Sequence, residues 1–270
     1  MVLADVRWYL DGRSGRDAYD RGHIPGAVFV DLDRWLAGPA SPAAGRHPLP
    51  DPATFAEGMS SVGIGDGSMV VAYDDQGGVI AARLVWMLRV TGHDAALLDG
   101  GIQSYRATLE TGPPANPARA GGPVPPRPFT PPAWPADRLA SIEDASDPAN
   151  TVIDARAPER FSGEDEPIDP RGGHIPGARN LPCRSNLDSE GRFLPVDALR
   201  GRFERVGVGG DPGGVPMISY CGSGVTACHN LLALELAGFG QGRLYPGSWS
   251  QYSHDEARPV ETGTGPERVG

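Results

Sequence analysis

Cys221 opens the run Cys221-Gly222-Ser223-Gly224-Val225-Thr226, set between a short apolar stretch, Pro216 to Tyr220, and a helix-like segment from Ala227 to Ala237. A thiol at the carboxyl end of a buried strand, followed by a glycine-bearing loop that feeds a helix amino terminus, lies where several backbone N–H groups can converge on one anion. That arrangement suits a nucleophilic thiolate. An ordinary thiol, with a pKa of about 8.5, is only a few per cent ionised at neutral pH, so dipoles aimed at the sulfur are needed to activate it. Gly222 and Gly224 let the chain fold tightly around the sulfur. Thr226 is placed to cap the helix and leave the loop amides to a ligand. The competing reading is an inert buried cysteine beside an ordinary strand-to-helix turn, because a short motif is weak until its context is known.

The chain has 270 residues, enough for two domains of ordinary size, and a formal net charge of -10 with a pI near 5.0. That charge argues against nucleic acid or an anionic membrane as a general partner. Three cysteines, Cys183, Cys221 and Cys228, form neither a CxxC pair nor a metal-ligand pattern, so no metal is expected. An odd cysteine count and an amino terminus carrying Asp5, Arg7, Asp11, Arg13, Arg16 and Asp17 predict free thiols, no secretory signal and a cytoplasmic location. No stretch approaches the roughly 20 apolar residues that span a bilayer.

The chain is written twice. Gly22-His23-Ile24-Pro25-Gly26-Ala27 recurs 151 residues later as Gly173-His174-Ile175-Pro176-Gly177-Ala178. Val70 to Asp74 pairs with Met217 to Cys221 at a spacing of 147, as do Gly100 with Gly247 and Tyr105 with Tyr252. A period this long marks duplicated domains rather than a solenoid. Ten prolines between Thr111 and Pro135 predict an extended linker between the copies. Each half reads strand, polar loop, GHIPGA turn, short apolar segment, helix (52–62 or 197–206), apolar strand, the loop at 74 or 221, a long helix (79–90 or 226–237) and a last strand. This alternation predicts an α/β fold with mostly parallel sheets covered on both faces. Duplication of His23 and His174 in a half without a cysteine marks them as structural, holding a backbone group at the turn.

Tandem α/β halves that each carry GHIPGA, with a cysteine loop only in the second, resemble the two-domain rhodanese family of sulfurtransferases over essentially the whole chain. The resemblance implies two tandem rhodanese-like domains: residues 1–112, silent because Asp74 replaces the cysteine; a proline-rich linker, 113–135; and a catalytic domain, 136–270. The loop CGSGVT is similar to that of the 3-mercaptopyruvate branch, since thiosulfate-using relatives carry basic residues where this chain has Gly222 and Ser223. On that resemblance Cys221 takes sulfur from a small-molecule donor, 3-mercaptopyruvate or thiosulfate, as a persulfide and passes it to a thiol or cyanide, with a thioredoxin-like dithiol among the candidate acceptors. No cofactor is implied. The amides of Gly222 to Thr226, including Gly224 and Val225, would hold both thiolate and persulfide.

Arg160 matches the family arginine that grips the donor's carboxylate or sulfonate, a task suited to a bidentate guanidinium. Arg171 is the nearest candidate for a second such arginine. Asp33 and His47 match an Asp and a His of the first domain that relay a proton to the loop serine, giving a Ser223/His47/Asp33 set at the cleft between the halves. Trp249 matches a family tryptophan near the loop, either walling the donor pocket or packing in the core. A cysteine phosphatase needs an arginine six positions after its cysteine, where this chain has Ala227. A non-catalytic rhodanese-like binding module would have lost Cys221.

Overall fold

The computed structural model describes residues 1–113, 127–209 and 216–264. By internal packing the chain divides into two compact units. The first is Met1–Gly38 with Leu49–Pro135 and Ser189–Phe193; the second is Pro39–Pro48 with Ala136–Asp188 and Leu194–Gly270. A short piece of each half is thus packed in the unit built mainly from the other.

Each unit holds a four-stranded sheet with every pairing parallel. In the first, β1 (Val2–Asp5), β2 (Val28–Phe29), β3 (Val70–Tyr73) and β4 (Ala95–Leu97) lie in the order β2-β1-β3-β4. In the second, β5 (Val152–Asp154), β6 (Arg179–Asn180), β7 (Ile218–Tyr220) and β8 (Arg243–Leu244) lie in the order β6-β5-β7-β8. Central strands of a parallel sheet are covered on both faces, which is why β5 and β7 are wholly buried. The crossovers are α1 (Gly15–Arg21), α2 (Pro52–Ser61) and α3 (Ala82–Val90) in the first unit. The second unit has α4 (Ile142–Ser146), α5 (Pro158–Ser162), α6 (Val196–Arg205), α7 (Ala227–Leu236) and α8 (Ser248–Tyr252). Helices α3 and α7, which follow the loops at 74 and 221, are buried along nearly their whole length, the polar Arg83, His229 and Asn230 included. Among the described residues no helix is long and apolar enough to cross a membrane.

The duplicated GHIPGA turns are pinned identically. His23 Nδ1 meets the carbonyl of Tyr19 at 2.9 Å and its ring stacks on Tyr19; His174 Nδ1 meets the carbonyl of Phe161 at 2.9 Å and stacks on Phe161. The hydroxyls of Tyr73 and Tyr220 accept the amides of Ile24 and Ile175. Glu110 and Glu261 each bridge back to their turn through backbone pairing and a carboxylate on the amide of Gly26 or Gly177. Both histidines are fully buried. Of the proline-rich segment, 114–126 lies outside the described residues. Beyond it Phe129 is buried edge-on to Phe55, and Trp134 packs on Phe55 while donating to the carbonyl of Pro50, so this end of the segment is part of the first unit's core.

Burial holds His174 below the ordinary histidine pKa. The unfolded chain therefore binds the proton first, and stability falls as the pH drops through about 6.5. His174→Gln should make the urea midpoint less sensitive to pH between about 7.5 and 5.5 than it is in the unaltered chain; equal sensitivity would show that this imidazole does not contribute.

Candidate active site

Strand β7 ends at Tyr220, and Cys221 follows with 2% of its surface exposed. Its Sγ accepts the N–H of Gly224 at 3.1 Å. Gly224 has φ +80, and a Cβ there would stand 2.6 Å from the carbonyl oxygen of Pro246, so only glycine can turn this amide onto the sulfur. The amide of Cys221 donates to Ser248 Oγ at 3.2 Å. Ser248, with φ 52, is the one non-glycine residue at positive φ among the described residues, and its counterpart 147 positions earlier is Gly101, φ +58. Its hydroxyl also donates to the carbonyl of Tyr245 at 2.9 Å. These bonds hold a strained backbone next to the thiol.

The loop at 74 in the first unit shows what such a turn can bind. The buried carboxylate of Asp74 accepts four amides, from Gln76, Gly78, Ile80 and Ala81, at 2.7 to 2.8 Å. Converging main-chain N–H groups of this kind form an anion cradle. Gly77 (φ 76) and Gly224 (φ 80), 147 residues apart, turn the two loops alike. In the second loop the sulfur, on a shorter side chain, takes the Gly224 amide alone, and the amides of Ser223 and Val225 meet no acceptor among the described residues. The expectation that the amides of 222 to 226 all hold the thiolate is thereby corrected. Thr226 is not a cap either: its backbone is already helical and its side chain accepts no helix N–H.

Ser223 and His47 meet. Ser223 Oγ lies 2.8 Å from His47 Nδ1, and both residues are buried. His47 sits in the segment Pro39–Pro48, which is packed in the second unit although it belongs to the first half of the sequence. That segment is tied down by Arg46 N–H on Ser250 Oγ at 2.9 Å, by Gln251 Nε2 on the carbonyl of Ala43 at 2.6 Å, and by Gly45, where a Cβ would stand 2.5 Å from the Gly247 carbonyl. Asp33 belongs to the first unit, is exposed, and accepts the Trp8 indole N–H at 2.9 Å.

Beside the loop runs a chain of ion pairs. Arg156 is held by Asp154 and Glu166, Arg160 by Glu166 and Asp169, and Arg46 by Asp169. Arg160 and Arg46 both reach Gly222: a Cβ there would stand 3.3 Å from Arg160 Nη1 and 3.2 Å from Arg46 Nη2. Sequence reasoning picked out Arg160 and missed Arg46. Its adjacency to His47 was the available signal. An open groove of about 550 Å³ is lined in part by Arg46, Glu166, Asp169, Ser250 and His254.

Of the other candidates, Arg171 departs from expectation. The Arg171 guanidinium is spent on the carbonyls of Ser253, Arg258, Tyr252 and Asp255, where it braces the segment after α8 rather than facing the loop. Trp249 is fully buried, stacked on Tyr252 with Arg156 over its ring and its N–H on the Arg171 carbonyl, so it packs in the core. Cys183 is buried, and burial pushes its thiol up to about 12. Cys228 is buried in α7 with its thiol on the Gly224 carbonyl.

A model of the rhodanese-like domain matches residues 1–108 and 136–255. The chain belongs to the rhodanese family. Among its relatives, a Pseudomonas aeruginosa protein named "Probable 3-mercaptopyruvate sulfurtransferase" is 44% identical over 97% of this chain and 93% of its own length. An Arabidopsis thaliana protein named "Thiosulfate/3-mercaptopyruvate sulfurtransferase 2" is 34% identical over 96% of this chain and 81% of its own length. The solved structure of 3-mercaptopyruvate sulfurtransferase from Leishmania major matches with a TM-score of 0.81 and 31% identity, covering 96% of this chain and 72% of that one. In this rhodanese-family chain the two domains share a loop geometry but differ in what fills it, a carboxylate in one and a thiol in the other. Gly224→Ala should cost the Cys221 loop its conformation by backbone strain and by the contact with Pro246. Thiol alkylation kinetics at Cys221 should change at least severalfold, with a loss of about 1–3 kcal/mol in stability; unaltered kinetics and stability would show that the turn tolerates a side chain.

Proposed function

We propose that this chain is a sulfurtransferase that moves sulfur from 3-mercaptopyruvate, through a persulfide on Cys221, to a thiol or to cyanide. The observation that carries it is the union of one thiol, an anion-binding turn and the buried Ser223–His47 pair within a single loop environment. In the first step the Cys221 thiolate attacks the donor sulfur. The new S–S bond forms as the C–S bond breaks, and the electron pair leaves as the enolate of pyruvate, which takes a proton at carbon. The outer sulfur of the persulfide gives up a proton in turn, so the site needs a route for one proton across a short distance. Ser223, hydrogen-bonded to His47, supplies a hydroxyl and an imidazole for that transfer. The amides of Ser223 and Val225 are then available to the persulfide anion, as their counterparts serve Asp74.

In the second step an acceptor attacks the outer sulfur, the S–S bond breaks, and Cys221 leaves as thiolate. Cyanide gives thiocyanate; a thiol, that of a thioredoxin-like dithiol among the candidates, gives a new persulfide. Arg160 binds the donor's anionic end. Thiosulfate is the second reading, because guanidinium groups beside Gly222 suit a sulfonate as they do a carboxylate. Three free cysteines fit a reducing, cytoplasmic setting.

Thiocyanate release with cyanide as acceptor tests the chemistry: it should be seen with 3-mercaptopyruvate and vanish in Cys221→Ser, and release that survives the substitution would refute the assignment. kcat/KM should favour 3-mercaptopyruvate over thiosulfate. Ser223→Ala should lower turnover of 3-mercaptopyruvate by about 10²-fold or more, in the range of general acid–base catalysis, with a much smaller loss for thiosulfate, whose sulfite leaving group needs no proton at carbon. Equal losses would remove the relay.

A further inference from the structure

We infer that Arg46 is the second guanidinium that binds the donor's carboxylate, acting with Arg160 across Gly222; this rests on the sulfurtransferase reading and names the anion-binding half of that site. Arg160 turns its Nε and Nη2 to Glu166 and Asp169, which leaves Nη1, the nitrogen nearest Gly222, without a protein acceptor among the described residues. Arg46 turns Nη1 to Asp169 at 2.8 Å, leaving Nη2, also directed at Gly222, without one. Arg46 Nε is buried and unpartnered. A guanidinium carries five N–H donors, and two cationic edges left open side by side suit a bidentate anion such as a carboxylate.

Asp169, only 1% exposed at its side chain, gives one oxygen to each arginine and so fixes the two open edges relative to each other. Gly222 contributes by lacking a side chain: the space a methyl would fill, 3.2 to 3.5 Å from three guanidinium nitrogens, is left to the ligand. A carboxylate there is bridged by two cations one residue from the Cys221 sulfur. The sulfur of a three-carbon donor is then within reach of the thiolate. An open groove shares Arg46 and Asp169 with this pair. Arg171, bound to four backbone carbonyls, has no such edge to offer.

Steady-state kinetics with 3-mercaptopyruvate, and inhibition by pyruvate as a non-reacting carboxylate, test this in the full chain. Arg46→Gln should raise KM and the pyruvate inhibition constant together by roughly 10- to 100-fold, the range of a lost charge-assisted hydrogen bond, while kcat falls far less. Arg46→Lys should restore part of the loss. Gly222→Ala, at a backbone conformation that accepts a side chain, should raise both constants in the same way. Unchanged KM and pyruvate inhibition in Arg46→Gln, or a collapse of kcat with both constants unmoved, would show that Arg46 only anchors its loop and would overturn the proposal. Absence of turnover by the unaltered chain would instead overturn the sulfurtransferase reading, and this assignment with it.

Discussion

The convergence of main-chain N–H groups on one anion at the end of a central parallel strand is the interaction on which the rest depends. The strand ends, the chain turns at a glycine with positive φ, and a buried helix begins. In the first unit this turn closes on the carboxylate of Asp74, which satisfies four amides from within the chain. In the second a thiol occupies the same position but is too short to reach them all. A carboxylate thus completes one copy structurally. The sulfur leaves the other copy with amides available to a group that the thiol can acquire, and an added sulfur atom extends the side chain toward them.

Around that turn the second unit collects side chains from distant sequence. Helix α5 supplies Arg160, the segment after it Glu166 and Asp169, and Pro39–Pro48 supplies Arg46 and His47. The acids balance the arginines in a nearly closed set of ion pairs, so the cations are kept at low exposure without isolated charge. Selected guanidinium edges remain unpaired next to Gly222. The strain at Ser248 belongs to the same arrangement, since its hydroxyl takes up the Cys221 amide that would otherwise be buried without an acceptor.

The repeat was legible because GHIPGA turns and apolar strand runs are local signals, and the helices at 52–61, 196–205 and 227–236 begin and end within a residue or so of where their pattern places them. The thiol loop was legible for the same reason. Arginine destinations were not: a long side chain with five donors goes where tertiary structure leaves carbonyls or carboxylates. Arg171 therefore braces backbone, while Arg46, in a loop with no periodic pattern, reaches Gly222. Trp249 was ambiguous because a large aromatic near a site serves equally as a wall or as core. Thr226 failed as a cap because the chain is already helical there.

The most direct measurement is peptide mass spectrometry of the protein exposed to 3-mercaptopyruvate with no acceptor present. The peptide holding Cys221 should gain one sulfur atom, which fragmentation places on Cys221 and not on the buried Cys228, and the peptide holding the buried Cys183 none. A Cys221 peptide of unchanged mass, or sulfur spread evenly over all three cysteines, would contradict a cradle built to load this one side chain.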